Sequence, residues 1–177
     1  MKRILLLIAM ITVAAVSTFA QSVLGIKVGE SFSNAKNALR ERYGYKLSED
    51  SGNLILSNFE MGDFSFKYGT LYFQWIDGVA RFYKADFQQW EPVSEAESMK
   101  RSRELLMNKL KAKYGIFEYK NSQGYKCYEF IGEEKDGIVM HGTITLMRTK
   151  GNDNVERLYL FLSYNPIADF IQEDSDF

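Results

Sequence analysis

The chain has one cysteine, one histidine and two prolines among 177 residues, and its formal net charge is −1. A single thiol, Cys127, excludes an intramolecular disulfide and any zinc site built on several cysteines. A single imidazole, His141, excludes sites that need two, the HExxH proteases among them. The near-neutral balance provides no electrostatic basis for nucleic acid, which draws strongly basic domains. Also missing are the phosphate loops GxxxxGK[ST] and GxGxxG and the nucleophile elbow GxSxG. No cofactor is called for, and no nucleic acid is expected as a partner. With 46% hydrophobic and 25% charged residues, the composition is globular rather than disordered or collagenous.

What is present begins at the N-terminus. Lys2 and Arg3 precede an unbroken apolar run from Ile4 to Val16, followed by Ser17-Thr18-Phe19-Ala20-Gln21. These match the basic n-region, the h-region and the small-residue cleavage point of a secretory signal, with cleavage expected after Ala20. The alternative is an uncleaved anchor, but about 15 apolar residues fall short of the roughly 20 that span a bilayer. Residue 21 is Gln rather than Cys, so the signal is not of the lipoprotein type. The mature protein is expected to start near Gln21, periplasmic or extracellular, with no stable membrane span after cleavage. With one unpaired thiol, it must be held together by its core.

The rest of the chain repeats itself. Leu39-Arg-Glu-Arg-Tyr43-Gly44 recurs as Leu110-Lys-Ala-Lys-Tyr114-Gly115. Tyr68-Gly69-Thr70-Leu71 recurs as His141-Gly142-Thr143-Ile144, and Val79-Ala-Arg81-Phe82-Tyr83 as Val155-Glu-Arg157-Leu158-Tyr159. The order is kept while the offset grows from 71 through 73 to 76, as loop insertions in a second copy would produce. The expected organisation is a signal peptide at 1–20, a first repeat at 21–93, a second at 94–168 and an acidic tail at 169–177.

Each repeat reads as one helix and a β-meander. Phe32, Ala35, Leu39 and Tyr43 recur at helical spacing, with Ser31 as N-cap and Gly44 as the stop. In the second copy Ser94 to Glu97 forms a capping box, and Ala96, Met99, Leu106, Leu110 and Tyr114 form the buried stripe, closed by Gly115. Glu95 and Glu97 in the first turn, and Lys109, Lys111 and Lys113 in the last, suit the helix dipole. Strands are expected near 53–59, 64–76 and 79–90, then 124–131, 138–148 and 155–164, with short additions near 45–48 and 116–120. Asp77-Gly78 is a strong two-residue hairpin turn, and Gly151 to Asn154 takes its place in the second copy. Strands in runs point to an α+β fold. The expectation is two tandem α-β-β-β(-β) repeats forming one antiparallel sheet of six to eight strands, with two helices packed on one face.

In outline this arrangement resembles the β-lactamase inhibitor proteins, and each copy is more distantly similar to small envelope domains of the outer-membrane-assembly lipoprotein family. The Ala-Gln end of the signal and the tyrosine-rich strands also resemble small secreted proteins common in gut-type bacteria. No inhibitory loop is matched, and the paired cysteines often found in those inhibitors are absent. The resemblance therefore implies a fold and carries no functional residue across.

Few residues offer chemistry. A thiol–imidazole pair needs Cys127 beside His141. If Ile131 pairs with Ile138, Cys127 lies opposite Gly142 and His141 opposite Tyr128, which sends the two side chains to opposite faces; a one-residue slip would reunite them. Glu133, Glu134 and Asp136, and Asn152, Asp153 and Asn154, lack the spacing of a calcium loop and read as solvated turns. No metal site is expected, and no catalytic residue is singled out. Aromatic residues are the unusual feature, at 26 in total. Phe64, Phe66 and Tyr68 alternate on one face, and Leu71, Phe73 and Trp75 do so further along. Tyr72 and one of Phe82/Tyr83 fall on the other side. Arg81 with Tyr83, repeated as Arg157 with Tyr159, would place an Arg–Tyr pair twice on one surface, in residue types enriched at interface hot spots.

The candidate site is therefore Tyr72, Arg81, Tyr83, Arg157 and Tyr159, facing a protein or glycan partner. The alternative is a half-exposed sheet that uses β-formers for propensity alone. The leading expectation is a secreted or periplasmic non-enzymatic binding module. The alternatives are a structural accessory subunit of a cell-envelope assembly, and a hydrolase with unidentified Asp/Glu residues in a deep polar cleft. For the tail, either the end moves freely or Phe170 and Ile171 dock.

Overall fold

In the computed structural model, residues 21–122, 124–151 and 153–172 are described. The stretch read as a signal peptide, the last five residues of the tail, and Asn152 lie outside the described residues. Among those described, no helix is long and apolar enough to cross a membrane.

Ser31 accepts a hydrogen bond from the Asn34 amide at 3.4 Å, as its N-cap position requires, and helix α1 follows over Phe32–Tyr43. Ala35 and Leu39 are its buried positions, and Gly44, with φ of 55°, ends it. Helix α2 spans Ala96–Lys111 and buries Met99, Leu106, Met107 and Leu110. Its start differs from the expected capping box. Val93–Glu95 winds as a 3-10 turn, and Glu95 takes the N-cap position without a side-chain bond. The helix also stops at Lys111, so Gly115 opens a strand instead of closing the helix.

The strands are β1 (Ser22–Val23), β2 (Ile26–Lys27), β3 (Leu47–Asp50), β4 (Asn53–Met61), β5 (Phe64–Ile76) and β6 (Val79–Pro92). After α2 come β7 (Gly115–Lys120), β8 (Lys126–Lys135), β9 (Ile138–Lys150), β10 (Glu156–Tyr164) and β11 (Ile167–Ala168). A short helix, α3, covers Asp169–Gln172. The fold is α+β, with a nine-stranded antiparallel sheet in the order β3-β4-β5-β6-β10-β9-β8-β7 and β11 paired with β9. β1 and β2 form a separate hairpin that the sequence reading did not include; it buries Val23 and Ile26.

Turn chemistry sets much of this register. Ser51-Gly52, Asp77-Gly78 and Asp136-Gly137 all have positive φ at both positions, the geometry of the tight hairpin turns that match strand twist. β6 is longer than its partner. β10 pairs only with Ala85–Pro92, and beyond that point residues 29–31 lie along β6 instead, with Gly29 N donating to Phe82 O and Phe82 N to Glu30 O, both at 2.8 Å.

The core is aromatic. Rings touch in sequence from Tyr43 through Phe59, Phe66 and Phe87 to Tyr164, Phe130 and Tyr114, with centroids 5.2 to 6.1 Å apart. Four of these rings, Phe59, Phe66, Phe87 and Phe130, are essentially fully buried, each contributing about 2–3 kcal/mol of apolar transfer. Two glycines make room for them. A Cβ on Gly69 would meet the rings of Phe87 at 2.7 Å and Phe59 at 2.9 Å, and one on Gly142 would collide with the Phe130 ring and the Ser163 carbonyl. The expected alternation in β5 holds only in part. Phe66 and Leu71 are buried, Tyr68 is half-exposed and Trp75 stands 71% exposed. At the C-terminus, Phe170 lies over Gly29, and Phe170 and Ile171 pack against the core.

Candidate functional site

Antiparallel partners share a face, so the registers line up the residues that alternate with the core. Leu160 and Leu162 of β10 are buried, which turns Arg157, Tyr159, Phe161 and Ser163 to the opposite side. Four rows of side chains cross the strands there. One is Trp90–Tyr159–Met147. The next runs Tyr68–Gln88–Phe161–Thr145–Cys127–Tyr119, and the third Thr70–Asp86–Ser163–Thr143–Glu129–Phe117. In the last, Tyr72 opposes Lys84, and His141 opposes Ile131.

The aromatic part of this face centres on the seam between β6 and β10. Trp90 and Tyr159 have centroids 5.9 Å apart, and Tyr159 stacks on Phe161 at 5.9 Å with the ring planes 15° apart. All three are half-buried. Lys67 Nζ lies 5.6 Å from the Trp90 ring and Lys84 Nζ 5.0 Å from the Tyr72 ring, geometry in which cations are attracted to the ring face. Between these pairs Ser163 donates to Asp86, Asn165 donates to Ser163 at 3.3 Å, and Lys84 sits 3.2 Å from Asp86. Burial, and secondarily the Asp86 charge, pushes the Tyr72 phenol above its usual range.

The five residues read from the sequence fall in different settings. Tyr72, Arg157 and Tyr159 lie on this face. Arg157 makes a two-pronged bond to Asp153 at 2.7 and 2.6 Å and also contacts Tyr159. That hydrogen bond holds the Asp153 carboxyl down to about 2. Arg81 instead donates to Gly29 O at 3.0 Å, beside the strap formed by residues 29–31. Tyr83 is the residue skipped where the β5–β6 register shifts, between Phe82 and Lys84. Sequence reasoning did not pair Trp90 with Tyr159, since β6 and β10 lie far apart in the chain and only their register joins the two rings.

Cys127 and His141 require a correction. The Asp136-Gly137 turn and a bulge between Ile131 and Glu134 set Cys127 opposite Thr145 and His141 opposite Ile131, so both side chains fall on the same face. They remain two rows apart, each with its own partners. Thr145 Oγ1 donates to the Cys127 thiol at 3.2 Å, while His141 Nε2 meets Glu129 Oε1 at 2.6 Å. Among the described residues, no group of three or more His, Cys, Asp or Glu side chains is arranged to hold a metal ion. The carboxyls whose pKa departs from the usual range (Asp63, Glu97, Glu118, Asp153 and Glu156) are all lowered, each first by a hydrogen bond from a lysine or arginine.

The fold and this face together define an α+β protein built on one large antiparallel sheet with an aromatic seam at its middle. No protein-family model, curated protein or solved structure matches the chain.

Proposed function

We propose that the protein is a secreted or periplasmic, non-enzymatic binding module, and that it docks a protein partner on the sheet face around the β6–β10 seam. The observation that carries this reading is the half-exposed stack Trp90–Tyr159–Phe161, flanked by Lys67 and by the Tyr72–Lys84 pair. Trp, Tyr and cationic side chains on a rigid β surface are the anchors from which protein interfaces draw most of their energy. Delivery to the periplasm or outside rests on the basic and apolar segment Lys2–Val16 and cleavage after Ala20.

In this reading the scaffold is a tandem duplication. The strand order supports it, since β6-β5-β4-β3 on one side of the seam mirrors β10-β9-β8-β7 on the other. The ring series supports it too, running Tyr43–Phe59–Phe87 into Tyr164–Phe130–Tyr114, with Tyr43 and Tyr114 in the repeated Leu-x-x-x-Tyr-Gly motif. The reading also has both helices on one face, which is supported by Ala35 and Leu39 of α1 and Met99, Leu106 and Leu110 of α2 belonging to one hydrophobic cluster. The other face is then left for the partner.

The test uses residues 21–177 as bait against extracts of the producing cells, alongside a Trp90→Ala/Tyr159→Ala variant checked for native near-UV circular dichroism. One stoichiometric partner retained by the parent and lost by the folded variant is expected. Equal capture by both, or none by either, would sink the sheet-face reading. Intact-mass spectrometry of the exported protein is expected to give a chain that starts at Gln21, with or without loss of ammonia from that residue.

A further inference from the structure

A second surface, at the opposite end of β5 from its buried aromatics, has its own construction. The Ser51-Gly52 and Asp77-Gly78 turns both hold two successive residues at positive φ, which makes them short and stiff. Asn53 Oδ1 accepts from the Phe73 amide at 3.3 Å, where the β5–β6 register shifts between Tyr72 and Phe73. That shift brings Phe73 into line with the core ring Phe82 at 5.9 Å and edge-on to Phe32, the first residue of α1, at 4.9 Å. The aromatic row thus leads out of the core and ends in solvent at Trp75. Between the two turns and the start of α1 lies a groove of about 520 Å³, within the range of small-molecule sites.

We propose that this groove binds the ring of a neutral sugar, stacked on Trp75. The argument rests on the chemistry of the lining. No charged side chain lines it; its polar members are Ser33, Ser31, whose Oγ accepts from the Asn34 amide, and Ser51, whose hydroxyl donates to Asp50 at 3.1 Å, and its apolar floor is Phe32, Phe73 and Val79. The cation that stands over Phe32, Lys36 at 6.0 Å, is neutralised by Glu49 at 2.7 Å. An uncharged site matches an uncharged ligand, because an ionic group would be desolvated there without a partner. A pyranose has one apolar C–H face and a rim of hydroxyls, the combination that a flat exposed indole bordered by serine hydroxyls can satisfy. An apolar peptide segment would use the indole but not the hydrogen-bonding capacity that remains on these serines, the Ser31 hydroxyl proton and the Ser51 lone pairs. Two tight turns wall the groove and hold its rim in place. This inference stands apart from the sheet-face reading, which uses other residues.

The test titrates residues 21–177 with maltose, cellobiose, lactose and chitobiose up to about 10 mM, a ceiling that detects millimolar dissociation constants. Saturation-transfer NMR and tryptophan emission are followed together. At least one disaccharide is expected to give saturable signals in both. The emission change should vanish in Trp75→Phe, where Trp90 is the sole remaining indole, and affinity should fall more than tenfold in Trp75→Ala. Because Trp75 is 71% exposed, both variants are expected to fold. The inference is overturned if no disaccharide titrates, if Trp75→Ala binds as the parent does, or if a leucine-rich peptide quenches Trp75 while the sugars leave it unchanged.

Discussion

The two ends of the sheet's long hairpins show how similar strands close in different ways. Where β5 meets β6, the tip carries Trp75 and Val79, both exposed, around the Asp77-Gly78 turn. Where β9 meets β10, Val155 is exposed as Val79 is, but no indole accompanies it and ion pairs surround it: Arg148 pairs with Glu156 at 2.5 Å, and Arg157 grips Asp153. The exposed indole thus distinguishes the first tip, whereas paired charges at the second hold its loop. The sheet's edges differ as well. β3 is four residues long and is pinned by Glu49 to Lys36 and Arg40 of α1, while β7 presents Phe117 and Tyr119 to solvent. One architecture therefore carries a charged, fastened periphery in one place and an aromatic, open one in another.

The two sides of the sheet also differ in the core, at Gly69 and Gly142, where substitution has the largest expected effect. Gly142→Ala sets a methyl group against the Ser163 carbonyl as well as the Phe130 ring, and backbone cannot move aside. Its expected cost is about 3 kcal/mol, the upper end of overpacking. Gly69→Ala meets only the Phe87 and Phe59 rings and is expected to cost about 1–2 kcal/mol. Urea unfolding of both variants measures the difference, and a reversed order would mean that the Ser163 carbonyl does not crowd Gly142.

A smaller effect separates the helix starts. Ser31 caps α1, so Ser31→Ala is expected to cost about 1 kcal/mol. Ser94 lies in the 3-10 turn before α2, where no side-chain cap is made, and Ser94→Ala should stay within about 0.5 kcal/mol of the parent. Thermal unfolding of the pair checks this, and equal losses would restore the capping box.

The smallest effect concerns acid. Asp153 is held at about 2 in the folded protein against 3.8 in the unfolded chain, through its hydrogen bond from Arg157. Whatever stability the pair contributes is therefore complete above about pH 4 and disappears as pH falls toward 2. A carboxyl-carbon NMR titration should place the Asp153 midpoint near 2, moving toward 3.8 in Arg157→Gln. An unmoved midpoint would remove the ion pair from the description of this tip.

Much of the scaffold was legible in the sequence. The strand expected at 64–76 coincides with β5, and Ser31 and Gly44 bracket α1 as their chemistry requires. Asp77-Gly78 makes the turn it signals. These features are local: a cap, a positive φ or an alternation is decided by residues within a few positions. The α2 capping box failed for a similar reason. Pro92 precedes Ser94, and the chain leaves β6 through a 3-10 turn before α2 can begin. Of the candidate site, Tyr72, Tyr159 and Arg157 could be placed on one surface by counting alternation. The fates of Arg81 and Tyr83 could not, because a register shift and the 29–31 strap intervene.

Local sequence was enough to mark the long strands, the two long helices and the Asp77-Gly78 turn, and to show that no disulfide supports the core, but not the β1–β2 hairpin or the ends of α2. Tertiary structure decided the rest. A bulge between Ile131 and Glu134 brought Cys127 and His141 to one face, pairing of β6 with β10 set Trp90 beside Tyr159, and two turns with the start of α1 left Trp75 at the edge of a groove. The physical reason is one of range. Turns and caps are settled by bonds between near neighbours, whereas register across a sheet depends on strands distant in the chain, and a single extra residue there reverses every face beyond it.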